Sequence, residues 1–242
     1  DWMIRNVATH ELSAARLIND SGASTAHQLR IVDAESQEDL AQTIATLREH
    51  LSDCLLVGSA GLSTALVAAV ACSARTLARE RARGVTVFIV GSRSQRSREQ
   101  AGALTAAGAL SLAAPNGEVS ASALAAALRA LPAQGSLLVL ATQPNGASAP
   151  AELVAQRLAQ LCVDVLQRCK VGAIVATGGD TAKAILEITG NPIIEVSDEL
   201  MPGIALARFR YANEEYPFVT KAGGFGVADT FIRIGEAWAQ GR

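Results

Sequence analysis

The stretch VGAIVATGGDT, residues 171–181, decides the fold class. Its first part is a continuous apolar run, Gly172–Thr177, and its last part is a glycine pair followed by Asp180 and Thr181. Strands that are apolar on both faces are typical of parallel sheets covered by helices on each side. Because a helical pattern follows over Thr181–Thr189, the stretch predicts a buried strand, a tight turn and a helix.

The same alternation of strand and helix patterns recurs along most of the chain. Other short apolar runs predict strands at Cys54–Val57, Val85–Val90, Ser136–Ala141 and Phe218–Thr220. Apolar residues three and four apart predict helices over Gly61–Ala82, Gln95–Ala107, Ala121–Leu131, Ala151–Cys169 and Ala228–Ala239. Strands separated by helices pair in parallel through right-handed crossovers. The sequence therefore predicts an α/β fold, a three-layer domain with a mostly parallel sheet.

The first part of the chain has a less regular pattern. All three histidines lie there, and the pattern predicts a strand at Gln28–Asp33 and a helix over Gln37–His50. The arginine-rich stretch Arg75–Gly84 marks a change from Ala-rich to charged composition and ends in glycine, as a domain boundary often does. Because the chain opens with Asp1 instead of Met, we expect a fragment in which a partial α/β segment of a second domain precedes the three-layer domain.

Composition argues against several classes of protein. With 21 basic and 23 acidic residues among 242, the formal net charge of −2 provides no basic footprint for a nucleic acid. No apolar stretch reaches the ~18–20 residues of a membrane span, and no signal peptide is recognisable. The cysteines form no CxxC pair and lie in apolar contexts, so we expect a cytoplasmic protein with buried free thiols. These cysteines are Cys54, Cys72, Cys162 and Cys169.

Glycine and hydroxyl residues follow three of the predicted strands, just before a helix. These turns are Gly58–Gly61, Gly91–Ser94 and Gly178–Thr181. Ligands of open α/β sheets bind at the carboxyl ends of the strands, where the N-terminus of a helix attracts anions. The three turns together therefore predict a site for one anionic ligand.

The turns differ in how strongly they indicate a ligand. For Gly58–Gly61 we favour an ordinary tight turn with a serine N-cap. At Gly178 and Gly179 two successive glycines favour close approach of a ligand to the backbone, because glycine destabilises a strand or a helix. Asp180 either complements the helix dipole or holds a Mg²⁺ ion.

A second glycine-rich segment, TKAGGFG at residues 220–226, ends the last predicted strand. Three glycines in four residues predict a tight, exposed loop. Lys221 either offers a positive charge to a phosphate or is an ordinary solvated surface lysine. Neither a GxxxxGK[ST] nor a GxGxxG spacing is present, so the P-loop and dinucleotide-binding motifs are excluded.

Nucleophilic and zinc chemistry have little support in the sequence. No histidine follows His50, so a Ser-His-Asp or Cys-His arrangement within the three-layer domain is excluded. The same absence argues against a histidine-rich zinc site, and no metal ligands are assigned. The acidic stretch Glu195–Glu199 either shapes the rim of a site or is a solvated turn, and we favour the turn.

Five segments together resemble the four-carbon acid sugar kinase family, whose members phosphorylate erythronate, threonate or 3-oxo-tetronate. The segments occur in the order of that family and span most of the chain. They are VGSAGL at 57–62, GSRS at 91–94, ATGGDTA at 176–182, MPG at 201–203 and TKAGGFG at 220–226. Each is unspecific alone, and the set is specific.

The resemblance implies a nucleotide-binding domain over residues 80–242, preceded over residues 1–75 by the C-terminal part of a sugar-acid-binding domain. It implies ATP and Mg²⁺ as cofactors and a small-molecule sugar acid as substrate. We also expect a homodimer, either with or without segments exchanged between the protomers. The ATP phosphates are expected against Ser92, the Gly178–Thr181 turn and Gly223, while Ser94 and Lys221 are added from the residue pattern. The candidate nucleotide-binding residues are Ser92, Ser94, Gly178, Gly179, Asp180, Thr181, Lys221, Gly223 and Gly224.

The chain departs from the family pattern in two places. Asp180 stands where a longer Glu is expected, which keeps the charge and shortens its reach. The acidic DDxTG motif near the start of the family's members is absent. We therefore expect the general base and most contacts to the sugar acid outside this chain, and no catalytic residue is assigned.

Two other classes of function stay open at this point. One is a non-catalytic α/β module that binds an anion or a metabolite with the same loops. The other is a structural or assembly role, in which residues 1–75 exchange with another protomer.

Overall fold

A computed structural model describes residues 32–70, 84–131, 137–141, 149–191 and 193–240. The chain divides into two compact units, the first within residues 1–75 and the second within residues 76–242. None of the described helices is both long and apolar enough to cross a bilayer.

The first unit contains two packed helices, α1 (Gln37–Leu47) and α2 (Ala60–Ala69). Ser36 and Asp39 form a reciprocal capping box at the start of α1, which satisfies backbone N–H groups that the helix leaves unpaired. The predicted helix is thus confirmed, and a 3₁₀ turn over Arg48–Asp53 continues it. Ser59 takes the N-cap position of α2 without a side-chain cap.

The predicted strand at Cys54–Val57 is wrong. Residues 54–59 have no regular structure, and Leu55 and Val57 are 91% and 85% exposed. An extended segment becomes a strand when another strand satisfies its backbone, and the described part of the first unit offers none. The strand expected at Gln28–Asp33 and the later part of the helix expected over Gly61–Ala82 lie outside the described residues, apart from Val32 and Asp33, which have no strand structure.

A seven-stranded sheet forms the centre of the second unit. Its strands are β1 (Val85–Val90), β2 (Leu110–Ala113), β3 (Leu137–Ala141), β4 (Val171–Thr177), β5 (Glu195–Met201), β6 (Ile204–Tyr211) and β7 (Glu214–Lys221). The spatial order is β2-β3-β1-β4-β7-β6-β5. The first five strands in this order pair in parallel. Strand β6 is antiparallel to both of its neighbours, β7 and β5. The predicted mostly parallel sheet is confirmed.

Helices cover both faces of this sheet and make the three layers that the sequence predicts. They are α3 (Gln95–Ala106), α4 (Ala121–Ala130), α5 (Ala151–Arg168), α6 (Gly179–Ile188) and α7 (Thr230–Gln240). One core lies among α4, α5, α6 and the sheet, and the other among α3, α7 and the opposite face. In the second core the rings of Phe88 and Phe231 have centroids 5.1 Å apart, which ties β1 to α7.

Three strands of the sheet were not predicted as strands from the sequence. β2 and β6 were not predicted, and Glu195–Glu199 is part of strand β5, so its interpretation as a turn is wrong. β5 is one of the two edge strands, and Leu200 is its one buried residue, so its sequence lacks the apolar run of a central strand. The β6–β7 hairpin turns at Ala212 and Asn213 with positive φ angles of 50° and 65°. This pair lacks the glycine that marks most such turns.

The cysteines do not share one environment. Cys162 is buried in α5, where burial raises the pKa of its thiol to about 12, and Cys169 is half-buried. Cys54 is exposed, so the expectation of four buried thiols is wrong for this residue. Its predicted burial depended on the strand at Cys54–Val57. Cys72 lies outside the described residues.

Candidate functional site

The first wall of the site is the turn from β4 into α6. All seven residues of β4 are buried, and the chain leaves the strand through Gly178 with a φ of 93°, a conformation that glycine adopts without strain. The Gly178 N–H donates to the Lys221 carbonyl at 3.0 Å, which anchors the turn to β7. The first N–H groups of α6, from Gly179 onward, have no partner within the helix and carry its partial positive charge.

The space in front of this turn is open. A Cβ atom built on Gly179 would have no heavy atom within 4 Å, and both Gly179 and Asp180 are exposed. Thr181 is buried and packs its hydroxyl against Gly91, where a Cβ would overlap it. The Thr177 hydroxyl is buried at the end of β4 and has no hydrogen-bond partner in the part of the chain that the structure describes. This wall therefore consists mainly of backbone groups, and the space in front of them is open to a ligand.

The second wall is the turn from β1 into α3, which contains Ser92 and Ser94. The Ser94 hydroxyl caps α3 by accepting from the Ser97 N–H at 3.1 Å, and it donates to the Gly223 carbonyl at 2.6 Å. The Ser92 hydroxyl accepts from the Ser94 N–H at 3.2 Å and keeps its own proton available for donation. Ser94 therefore supports the turn, while Ser92 retains a donor for a ligand.

The third wall is the glycine-rich loop of residues 222–227, and buried side chains hold it from beneath. The Ser97 hydroxyl donates to the Gly223 carbonyl at 2.9 Å. The Gln100 amide nitrogen donates to the Phe225 and Val227 carbonyls, both at 2.9 Å. The Thr230 hydroxyl accepts from the Val227 N–H at 2.8 Å. None of these supporting residues was predicted from the sequence, because a polar side chain on an amphipathic helix does not indicate whether it faces a loop or solvent.

Lys221 is buried beneath the same loop, with 2% of its surface exposed. Its ammonium donates to the carbonyls of Ala222, Gly223 and Phe225 at 2.9, 3.1 and 3.0 Å. Burial, with a smaller contribution from the Arg96 guanidinium, lowers the pKa of Lys221 to about 8. The interpretation of Lys221 as a solvated surface lysine is therefore wrong.

The three walls converge at Ser92. A Cβ on Gly178 would lie 3.6 Å from the Ser92 nitrogen, and a Cβ on Gly223 would overlap the Ser92 hydroxyl. The absence of a side chain at Gly223 is thus what allows the loop to approach Ser92, whereas Gly178 is required by its positive φ. The Gly58–Gly61 turn belongs to the first unit.

A cleft of about 700 Å³ opens beside the α6 turn, over the strands β5, β6 and β7. Its size lies within the range of ordinary small-molecule sites. The Phe225 ring packs on Gly203, which has a φ of 76°, and so links the glycine-rich loop to the β5–β6 turn at the rim. The lining residues are Gly178, Gly179, Ala182, Val196, Ser197, Asp198, Glu199, Gly203, Ile204, Ala205, Thr220, Lys221 and Ala222.

The predicted site residues of the second unit thus come together around one opening. Gly178, Gly179 and Lys221 line the cleft, and Ser92, Thr181 and Gly223 meet beside it. No group of three or more His, Cys, Asp or Glu side chains suited to a metal ion occurs among the described residues. Asp198 and Glu199 are part of this lining, which agrees with the alternative of a rim and not with the favoured solvated turn.

Comparison with known proteins identifies a matching family and curated relatives. Residues 87–231 match the family described as nucleotide-binding C-terminal domain. The chain is 31% identical over 247 residues to a D-threonate kinase of Bordetella bronchiseptica, covering 93% of this chain and 58% of that protein. It is 25% identical over 225 residues to a D-threonate kinase of Salmonella typhimurium, covering 83% of this chain and 52% of that protein. The chain therefore spans a little over half the length of these relatives.

Solved structures with the same fold give a parallel result. A crystal structure of a domain of unknown function from Bordetella bronchiseptica, a domain-swapped dimer with bound citrate, matches with a TM-score of 0.58 and 31% identity. The match covers 86% of this chain and 52% of that one. A Haemophilus influenzae protein matches with a TM-score of 0.60 at 17% identity, over 86% of this chain and 53% of that one, which speaks for the fold alone.

Proposed function

The chain belongs to the four-carbon acid sugar kinase family, and from this premise we propose that it binds ATP where the β4–α6 turn, the β1–α3 turn and the glycine-rich loop converge. The whole protein then transfers the γ-phosphoryl group of ATP to a hydroxyl of a four-carbon sugar acid. The observation that carries the proposal is the meeting of Gly178 and Gly223 at Ser92, which brings the exposed N-terminus of α6 and the glycine-rich loop to the same serine.

Two sets of backbone donors suit a chain of phosphates. The first turn of α6 offers N–H groups from Gly179 to Thr181, reinforced by the helix dipole. In the glycine-rich loop the N–H groups of Gly223 and Gly224 have no hydrogen-bond partner among the described residues, and a Cβ on Gly224 would meet no atom within 4 Å. Such successive amides form an anion-binding concavity, to which Ser92 adds a hydroxyl donor.

The nucleoside then extends into the adjoining cleft. Ala182, Val196 and Ile204 offer apolar contact to a base. The Asp198 and Glu199 carboxylates, which accept the Glu199 and Gly203 N–H groups, give this part of the lining negative charge. Carboxylates disfavour phosphate by charge repulsion. This polarity favours one orientation, with phosphates at the turns and the nucleoside over β5 and β6.

Asp180 fits the role of the protein's Mg²⁺ contact. It is exposed in the first turn of α6, beside the donors proposed for the phosphates. Sites for MgATP commonly use one or two carboxylates with the phosphates and water completing the coordination. The ion would neutralise phosphate charge, while the chain's amides position the phosphoryl group for attack.

No residue of this chain is assigned to the binding or activation of the sugar acid. The sugar acid and its four-carbon class come from the names of the relatives, threonate being the first candidate. In this proposal residues 80–242 form the nucleotide-binding domain, and residues 1–75 are the C-terminal part of a sugar-acid-binding domain. A general base on that domain would take the proton of the attacking hydroxyl.

We further propose that the protein acts in the cytoplasm as a homodimer. Support comes from the domain-swapped dimer of the Bordetella bronchiseptica relative. Sedimentation equilibrium of the whole protein is expected to give twice the chain mass at micromolar concentration. A mass of one chain throughout would contradict the dimer.

Titration calorimetry with ATP, with and without Mg²⁺, tests the nucleotide site. We expect MgATP to bind the chain, and Asp180→Asn to weaken MgATP by about tenfold while leaving magnesium-free ATP unchanged or tighter. The control is Glu187→Gln, which removes a carboxylate at the other end of α6, where it pairs with Lys183. Equal losses with and without Mg²⁺ would remove Asp180 from the metal role.

A phosphoryl-transfer assay on the whole protein, with D-threonate and erythronate offered separately, tests the reaction. Transfer to either acid supports the kinase. Nucleotide binding without transfer to any four-carbon acid would favour a binding module instead.

A further inference from the structure

Lys221 performs a task that differs from contact with a phosphate. An ammonium group has three donors, and all three are used by the carbonyls of Ala222, Gly223 and Phe225. The Phe231 ring of α7 lies on another side, with its centroid 5.7 Å from the nitrogen. With 2% of its surface exposed, the side chain would have to leave these partners before it could reach a ligand.

The direction of these bonds sets the shape of the loop. In a trans peptide the N–H points opposite to the carbonyl of the same peptide unit. The carbonyls of Ala222, Gly223 and Phe225 point to the ammonium, so the N–H groups of the residues that follow them point away from it. The N–H groups of Gly223, Gly224 and Gly226 have no hydrogen-bond partner among the described residues, whereas those of Phe225 and Val227 are hydrogen-bonded. The inner side of the loop is hydrogen-bonded, and its outer side keeps donors for an anion.

Neutral side chains reinforce the arrangement without replacing the ammonium. Ser94 and Ser97 both donate to the Gly223 carbonyl, and Gln100 donates to the Phe225 carbonyl. The Ala222 carbonyl also accepts from the Phe225 N–H at 3.1 Å. Lys221 alone among these donors reaches three loop carbonyls, so it is the group that gathers them.

We propose that Lys221 is a positioning residue, whose buried ammonium draws the carbonyls of the glycine-rich loop inward and so turns the loop's amides toward the nucleotide phosphates. The loop geometry rests on the structure alone, and the identity of the anion rests on the proposed ATP site. Lys221 therefore controls nucleotide affinity through the loop, without contact between its ammonium and a phosphate.

Hydrogen exchange of the chain without nucleotide tests the loop geometry. In Lys221→Met we expect the Phe225 and Val227 amides, both hydrogen-bonded in the loop, to exchange at least about tenfold faster than in the wild type. The control Lys183→Met removes an exposed lysine from α6 and is expected to leave both amides unchanged. If exchange in Lys221→Met equals that of the wild type, the positioning role is wrong, and weakened ATP binding would then indicate direct contact.

The affinity of the wild type as a function of pH provides a second test that needs no variant. Because burial lowers the pKa of Lys221 to about 8, the ammonium is lost as pH rises through that value. The charged side chain that acts on it is Arg96 on α3, and α7 presents the Phe231 ring. We expect ATP affinity to fall about tenfold between pH 7 and pH 9.5, and Lys221→Met to show the low affinity at both values.

The two measurements separate this inference from the proposed function. A wild-type affinity that stays constant from pH 7 to pH 9.5 would overturn the role of Lys221 in binding. A chain that binds no nucleotide at any pH would overturn the ATP site, while the exchange measurement would still decide whether Lys221 shapes the loop. If Lys221→Met does not fold, wild-type exchange at the two pH values, corrected for intrinsic rates, answers the same question.

Discussion

Replacement of Gly179 by valine is expected to abolish nucleotide binding and to leave the fold intact. A side chain at this position enters open space, since no atom lies within 4 Å of the Cβ position, so nothing in the protein is displaced. It would occupy the space in front of the first N–H groups of α6, where the phosphates are proposed to lie. Loss of two charge-assisted hydrogen bonds corresponds to about 100-fold weaker binding or more.

The control for this variant is Gly102→Val. Gly102 is an exposed residue of α3 whose Cβ position is equally free of neighbours, roughly 12 Å along the helix from the Ser94 cap. Calorimetry should give wild-type ATP affinity for Gly102→Val and none for Gly179→Val, with both melting close to the wild type. Unchanged ATP affinity in Gly179→Val would remove the α6 turn from the site.

The sheet illustrates what the sequence could and could not predict. β1 and β4 were predicted within a residue, because a central parallel strand is buried on both faces and must be apolar throughout. The edge strand β5 contains Glu195, Asp198 and Glu199, since its outer face needs no apolar cover. Edge strands are recognised by their partners, which the sequence of the strand itself does not contain.

The site was predictable to the level of the turns. Gly178 and Gly179 predicted close approach of a ligand, and Gly223 and Gly224 a tight loop. The structure adds that Gly178 and Gly223 both lie next to Ser92, where a Cβ on Gly223 would overlap the serine hydroxyl. The role of Lys221 was not predictable, because a lysine beside glycines suits a phosphate contact and a buried support equally well. The choice between them depends on which way the loop carbonyls face, and this is a property of the folded chain.

The contact between Gly223 and Ser92 leads to the last prediction, a pair of compensating substitutions. In Gly223→Ala the new Cβ would overlap the Ser92 hydroxyl and lie 2.9 Å from the Ser92 Cβ, so we expect a loss of about 1–3 kcal/mol in the free energy of unfolding. Ser92→Gly removes both atoms, and the double variant should regain most of that loss. Urea unfolding of the four proteins gives the coupling energy, expected at about 1–3 kcal/mol.

Gly224→Ala is the matched control, because it makes the same change one residue away, where no atom lies within 4 Å. Its free energy of unfolding should stay within about 0.5 kcal/mol of the wild type. If Gly223→Ala is equally mild, or if Ser92→Gly does not relieve it, then the turns do not meet as described. If the coupling has the expected size, the close approach of the β1–α3 turn and the glycine-rich loop depends on the absence of a side chain at Gly223. The neighbouring Gly224 would then be a position that tolerates a Cβ atom.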